Sequence, residues 1–291
     1  MKKKKLMKKI EYQKSLKDKI SSKVYNFFLK NFLKKDKFEY NFNNNKILLI
    51  DEIYEEFKNK NFICFGTGES VNEVTNYKNI EKNIVVSVTY ANFYLKKKFN
   101  ISSDIWIVNL PEVLDYVINL ERKGDFFDYS KTYILIPSLE SSAKISYFHP
   151  VVQKFLKIHP EAKIVIYHKN EIYNRKDLIN KNHLNTRYQP IFCYGNNTLH
   201  NTFIPILSYF NFENIFFLGI DLINNKGHFF DKEILYQSLS GKRIFFDSSS
   251  AKEEFELLNN FNKKVSNNIF RLSKNGTKLN FYNLFEKNIF D

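Results

Sequence analysis

The chain has 291 residues, with 45 Lys and Arg against 31 Asp and Glu, a formal net charge of +14. Apolar residues make up 43% and there are only 8 Gly and 6 Pro. That is enough apolar surface for a sizeable core, and it excludes a disordered, collagen-like or low-complexity chain.

The charge is concentrated at the start. Residues 1–40 hold 14 Lys and four acids, +10 of the +14, which leaves +4 for the rest. Ile20, Val24, Phe27, Phe28 and Leu33 recur near helical spacing with lysines between them. This predicts a basic amphipathic helix over 14–35, inside an N-terminal segment 1–45. Three uses stand open: packing on the domain, lying on an anionic membrane surface, or binding nucleic acid. The segment has no Arg and no recognised nucleic-acid motif, so no nucleic-acid partner is expected.

From residue 46 the pattern becomes short apolar runs alternating with helical stretches. Lys46–Ile50 reads as an edge strand or part of a helix. Asn61–Phe65 reads as a buried strand ending at Gly66, with a helix starting over Glu69–Tyr77. Ile84–Val88 is a second strand, followed by a helix near Asn92–Lys98. Asp104–Val108 is a third, followed by Pro111–Arg122 with Pro at an early helical position. Thr132–Ile136, Lys163–Tyr167, Ile215–Leu218 and Asn268–Leu272 are further strands. Pro150–Ile158, Thr198–Phe210 and Ala251–Lys264 read as helices, the last with acids early and lysines late. Strands apolar throughout and separated by helices imply a parallel sheet covered on both faces. The fold class is α/β: a Rossmann-like, mostly parallel sheet flanked by helices over 46–291.

No apolar run reaches the roughly 18 residues of a membrane span. No apolar stretch follows the basic start as a signal peptide would require. Cys64 and Cys193 make neither a disulfide framework nor a zinc site, and read as buried thiols.

In such sheets, ligands bind outside the carboxyl ends of the strands. Gly66-Thr67-Gly68-Glu69-Ser70 sits at the first of these ends. Its glycines allow either a ligand loop or a tight structural turn. The third Gly of a dinucleotide fingerprint is Val71 here, and no Walker loop is present. Asn109 ends the third strand, where an amide suits a base edge or a helix cap. Asn197 and Thr198 precede a helix, as caps or as donor-facing groups. Leu218-Gly219-Ile220-Asp221 ends the most apolar run, where a carboxylate can hold a ribose or acceptor hydroxyl. His228, in Gly227-His228-Phe229-Phe230-Asp231, can accept a proton near neutrality. His149, His159, His168, His183 and His200 read as incidental, with His149 and His159 as turn residues before Pro. No H-E-x-x-H, D-x-D, C-x-x-C or G-x-S-x-G occurs, which argues against a zinc protease, a D-x-D metal-dependent transferase and an α/β-hydrolase.

These motifs, in this order, resemble the bacterial glycosyltransferase family 42 sialyltransferases. They also resemble the related motility-associated transferases that use activated nonulosonic acids. The family's Gly-Asn-Gly-Pro-Ser corresponds to Gly66-Thr67-Gly68-Glu69-Ser70. Its Asn near Phe-Tyr corresponds to Asn92-Phe93-Tyr94, and its strand ending Asn-Pro to Asn109-Leu110-Pro111. Its Thr-Ser-Gly turn, helix and Ser-Gly-Ile-Asp strand end correspond to Thr198 through Leu218-Gly219-Ile220-Asp221. An aromatic-Phe-Asp follows as Phe229-Phe230-Asp231. The likeness spans roughly residues 60–275. The chain departs at Thr67, at Leu199 and His200, and at Ile223 and His228, where the family has phosphate-binding tyrosines. The family's catalytic His precedes the late helix, where this chain has Asp247-Ser248.

The resemblance implies a GT-A-like variant of the fold and transfer of a sugar from a CMP-linked nonulosonic acid to a cell-surface glycan. No metal and no cofactor are implied. Gly66, Thr67, Gly68, Ser70, Asn92, Asn109, Asn197, Thr198, Gly219 and Asp221 would bind the nucleotide-sugar. His228 would be the base, with Asp247 as second choice. A cytoplasmic enzyme is expected, peripheral on the inner face of the membrane through residues 1–40, with homo-oligomerisation left open. Two rivals remain: a non-catalytic nucleotide- or glycan-binding protein with a degenerate transferase fold, and a Rossmann enzyme with a nucleoside cofactor. Against the second, no acidic residue is well placed after the second strand to hold a ribose.

Overall fold

The computed structural model describes residues 40–42, 45–73, 77–121, 127–137, 149–167, 169–172, 191–194, 198–221, 248–274 and 279–285. The chain divides into two units, Met1–Tyr40 and Asn41–Asp291. The basic helix expected over 14–35 lies outside the described residues.

Twelve strands are described. β1 (Tyr40–Phe42), β2 (Asn45–Leu49), β3 (Asn61–Phe65), β4 (Ile84–Val88), β5 (Ile105–Ile107), β6 (Tyr133–Pro137), β7 (Lys163–Tyr167), β10 (Asn214–Leu218), β11 (Ile269–Arg271) and β12 (Asn283–Leu284) form one sheet. Its order is β1-β2-β7-β6-β5-β4-β3-β10-β11-β12. Every adjoining pair from β2 onward is parallel. β8 (Lys169–Ile172) and β9 (Ile191–Tyr194) make a separate parallel pair that the sequence did not reveal.

The seven helices are α1 (Tyr54–Phe57), α2 (Ala91–Phe99), α3 (Pro111–Glu121), α4 (Pro150–Ile158), α5 (Ile204–Tyr209), α6 (Ser248–Phe261) and α7 (Lys264–Asn267), counted among the described residues. In β3, β4, β6 and β10 only the first residue is half-buried and the other four are buried. Both faces of the sheet are therefore covered, and each large side chain so buried contributes about 1.5–3 kcal/mol. The amino ends of three strands carry an amide ladder. Asn214 Nδ2 donates to Asn61 Oδ1 at 2.8 Å, and Asn268 Nδ2 to Asn214 Oδ1 at 3.2 Å.

Several elements differ from the sequence reading for local reasons. Lys46–Ile50 resolves as strand β2, paired with β7. Glu69–Tyr77 does not start an α-helix: a 3₁₀ turn covers Glu69–Glu73, because Ser70 bonds across to Asp221. Ala251–Lys264 is not one helix. α6 stops at Phe261, and Asn262 Oδ1 accepts from Lys264 N–H at 3.0 Å to open α7. Because α6 begins at Ser248, no acid falls in its first turn and no base in its last. The dipole match expected for it is not realised. The helix expected over 198–210 opens as a π turn, Leu199–Phe203, closed by Ile204 N–H to Leu199 C=O. Pro205 explains this: its ring would strike the carbonyl four residues back, and a widened turn relieves the clash.

Two histidines read as turn residues have defined jobs. His149 Nδ1 accepts from Val151 N–H at 3.2 Å and caps α4. His159 closes α4 and is 5% exposed. Its Nε2 meets Glu121 at 2.7 Å and its Nδ1 meets Glu161 at 3.1 Å. Tyr129 and Phe155 pack on its ring, each with centroids at 4.7 Å. Burial acts to lower its pKa, but the bonds and charges of Glu121 and then Glu161 outweigh it, so the imidazole titrates above its ordinary value.

Candidate functional site

The sheet order reverses direction at β3. β4 lies on one side of it and β10 on the other, so the switch point falls between β3 and β10. The loops leaving these two strands are stitched together. Gly66 N–H donates to Leu218 C=O at 2.8 Å and Gly68 N–H to Gly219 C=O at 2.7 Å. A Cβ on Gly66 would strike the Gly219 carbonyl, and one on Gly68 would lie 2.5 Å from Asp221 Oδ2. Gly219 has φ +71°, and its Cβ would come within 2.6 Å of the Gly66 carbonyl. The three glycines thus serve the close approach of two loops, which is the tight-turn alternative left open by the sequence.

Ser70 and Asp221 close this latch. Ser70 N–H donates to Asp221 Oδ2 at 2.9 Å, and Ser70 Oγ–H donates to Asp221 Oδ1. Gly219 N–H in turn donates to Ser70 Oγ at 2.8 Å. Both side chains are buried. Further along, Glu73 accepts from Ser273 Oγ–H at 2.9 Å, so the segment after β3 also reaches the loop after β11. Thr67 is half-buried at the turn.

The ends of β4 and β5 have a different character. Thr89 has φ +49°, a left-handed conformation costly for a β-branched residue, of order 1–3 kcal/mol. It is held there by β5: Thr89 N–H donates to Ile107 C=O at 3.2 Å, and the Trp106 indole N–H to Thr89 C=O at 2.8 Å. Three residues on, Asn92 is the second residue of α2 and is only 7% exposed. No described residue forms a hydrogen bond with its side chain, and since its amide atoms are not among the buried polar atoms lacking a partner, they reach solvent. Asn109 follows β5, its Oδ1 accepting from Tyr167 O–H at 3.0 Å and its Nδ2 donating to Thr202 Oγ1 at 3.4 Å. It therefore ties the carboxyl ends of β5 and β7 to the π turn.

Thr198 precedes the π turn but makes no side-chain cap. His200, read as incidental, is fully buried in that turn. Its Nδ1 meets Glu254 Oε2 of α6 at 3.0 Å and its Nε2 meets the Tyr282 hydroxyl at 3.0 Å. Burial lowers the His200 pKa against the opposing pull of Glu254, which favours the neutral ring. Burial first, and then Glu254, raise Tyr282 well above its ordinary value. The network assigns the proton on His200 to Nδ1, facing the carboxylate, with Nε2 accepting from the phenol.

The structure thus brings Gly66, Gly68, Ser70, Gly219 and Asp221 into one latch. It sets Asn92, Asn109 and Thr198 at neighbouring strand and helix ends. Asn197, His228 and Asp247 lie outside the described residues. The strand end at Thr89–Asn92 was among the positions picked from sequence; Tyr167, Thr202, Glu254 and Tyr282 were not singled out, and His200 was read as incidental. Pro205, four residues after Asn201, was the signal for the unusual turn that carries Thr202 and His200.

Fold and strand-end loops together define a Rossmann-like α/β protein. No family model matches the chain, and no curated protein matches it. Among solved structures, it is similar to the monofunctional alpha-2,3-sialyltransferase Cst-I from Campylobacter jejuni, at 15% identity and a TM-score of 0.45, covering 80% of this chain and 87% of that one. It is also similar to the sialyltransferase CST-II in complex with a trisaccharide acceptor and CMP, at 16% identity and 0.45, covering 77% and 86%. A further similarity is to CstII from Campylobacter jejuni with cytidine-5'-monophosphate, at 14% and 0.44, covering 78% and 85%.

Proposed function

We propose that this chain is a glycosyltransferase whose donor is a nucleotide-activated sugar, a CMP-linked nonulosonic acid, and whose acceptor is a cell-surface glycan. The observation that carries the reading is Asn92. It is a largely buried residue whose amide tip reaches solvent and to which no described residue offers a hydrogen bond, beside the strained Thr89 at a carboxyl strand end. An amide offers an acceptor and two donors, which match the amino group and ring acceptors of cytosine. Backbone strain beside a solvent-reaching amide that no fold contact occupies is a feature that folds retain where a ligand is bound. The order of the strand-end motifs supports the same reading.

In this proposal the acceptor hydroxyl oxygen attacks the anomeric carbon of the donor. A glycosidic bond forms, the sugar–phosphate bond breaks, and CMP leaves with the electron pair. His228, or else Asp247, takes the hydroxyl proton. No metal or cofactor enters the reaction. Residues 1–40 hold the enzyme on the anionic inner face of the cytoplasmic membrane.

The test is a thermal melt with a nucleotide panel. A ligand that binds only the folded chain stabilises it by about 2.7 kcal/mol at 100 times Kd. A selective rise with CMP supports the donor class. A rise with UDP, GDP or S-adenosyl compounds replaces the donor. No rise with any of them refutes nucleotide binding. Donor hydrolysis then separates the enzyme from the second reading, a binding protein without catalysis. Asp247-Ser248, standing where the resembled family has its His, favours that second reading. Turnover surviving both His228→Ala and Asp247→Ala refutes the choice of base. For the membrane, a chain lacking residues 1–40 should lose binding to anionic vesicles, and undiminished binding refutes that role.

A further inference from the structure

We propose that the buried Glu254–His200–Tyr282 chain is the positioning device of the donor site, holding the π turn that sets Thr198 and Asn109. The inference rests on the donor reading above. The three residues come from three separate parts of the chain: the π turn, the middle of α6, and the segment before β12. All are at most 4% exposed, so none of them can touch a substrate. Their work is done through the backbone they hold.

A π turn is a rare, widened turn found frequently at functional sites. Pro205 accounts for the widening, and contacts from outside the turn fix its orientation. His200 is the second residue of the turn, and its ring is fixed at both nitrogens, at 3.0 Å each, by groups outside it. Thr202 is the fourth residue of the same turn, and its hydroxyl meets the Asn109 amide, whose Oδ1 Tyr167 holds. Thr198 is the residue immediately before the turn. Fixing His200 therefore fixes the frame from which Thr198 and Thr202 project. α6 starts at Ser248, directly after Asp247, so Glu254 ties that same helix to the turn.

A chain of this kind works only when every member is satisfied, because a lone buried polar group is costly. Removing the Tyr282 hydroxyl leaves His200 Nε2 without that partner at nearly unchanged ring volume. Replacing Glu254 with Ala does the same at Nδ1. Glu254→Gln is the conservative change, since the amide oxygen still accepts from Nδ1–H.

The experiment uses the full chain, with CMP as probe. CMP affinity is measured by calorimetry and amide exchange over 199–204 by mass spectrometry, for wild type, Glu254→Ala, Glu254→Gln and Tyr282→Phe. Tyr282→Phe and Glu254→Ala are expected to speed exchange in the turn and weaken CMP about tenfold or more. Glu254→Gln should stay within about threefold of wild type in both. Tyr282→Phe decides the matter if Glu254→Ala does not fold. Wild type and variants binding CMP equally, or Glu254→Gln failing as badly as Glu254→Ala, would overturn the inference alone. A wild type that binds no nucleotide overturns the donor reading, and this inference with it.

Discussion

Replacing Asn92 with Leu should move stability and ligand affinity in opposite directions. The side chain is 7% exposed and receives no hydrogen bond among the described residues. Its amide atoms reach solvent, so the change relieves no unpaired buried group. Leucine is close in size and favours the first turn of α2 by a few tenths of a kcal/mol, roughly the gap in helix propensity. At about 2–4 °C per kcal/mol for chains near this size, Tm of the ligand-free chain should rise by roughly 1 °C. The same change removes the proposed contact to the base, which would be worth about 1–3 kcal/mol, so on that proposal the Kd for CMP should rise on the order of 10- to 100-fold. Melts without nucleotide and calorimetry with CMP read the two effects separately. A lower Tm with unchanged CMP affinity would refute the reasoning, because the amide would then be holding the fold and not awaiting a ligand.

Gly219→Ala should destabilise the chain by about 2 kcal/mol or more, since its φ is +71° and the added methyl meets the Gly66 carbonyl; a denaturant midpoint equal to wild type would contradict the latch. Ser70→Ala removes a hydroxyl that bonds a buried carboxylate and should cost about 1.5–3 kcal/mol, while Asp221→Asn in the same background should recover part of it. A double-mutant cycle with no coupling would count against the pair. His159 has a pKa raised in the folded state by Glu121 and Glu161. Its contribution is therefore fully present below the unfolded value of about 6.5 and lost as pH rises through the folded pKa. The stability gap between wild type and His159→Gln should shrink from pH 5.5 to pH 9 in urea melts, and a gap independent of pH would refute the ion pair.

Much of the sheet was legible because its strands are buried on both faces. Asn61–Phe65, Ile84–Val88 and Lys163–Tyr167 carry continuous apolar runs, and the structure keeps those bounds. β12 spans only two residues, too few for a hydrophobic pattern, and β8 and β9 pair with each other outside the main sheet. Over Glu69–Glu73 the expected helix gave way to a 3₁₀ turn because a contact distant in sequence won over local preference. The site was legible as places and not as partners. Strand ends followed from the alternation of apolar runs and helices, which is why Gly66, Asn109 and Asp221 could be singled out.

What occupies those ends was decided by folding. Ser70 reaches Asp221 across 151 positions, and His200 reaches Glu254 across 54 and Tyr282 across 82. Periodicity records which side of an element is buried, because that depends on one helix or strand at a time. It does not record which buried polar groups meet, because that depends on the order in which parallel strands line up. The sequence by itself therefore determined the apolar strands, the glycine turns and the strand-end addresses. Only the tertiary structure joined β3 to β10 and spent the carboxylate of Asp221 on Ser70. It also left Asn92 buried without a described partner, and turned His200 from an incidental residue into the centre of a buried network.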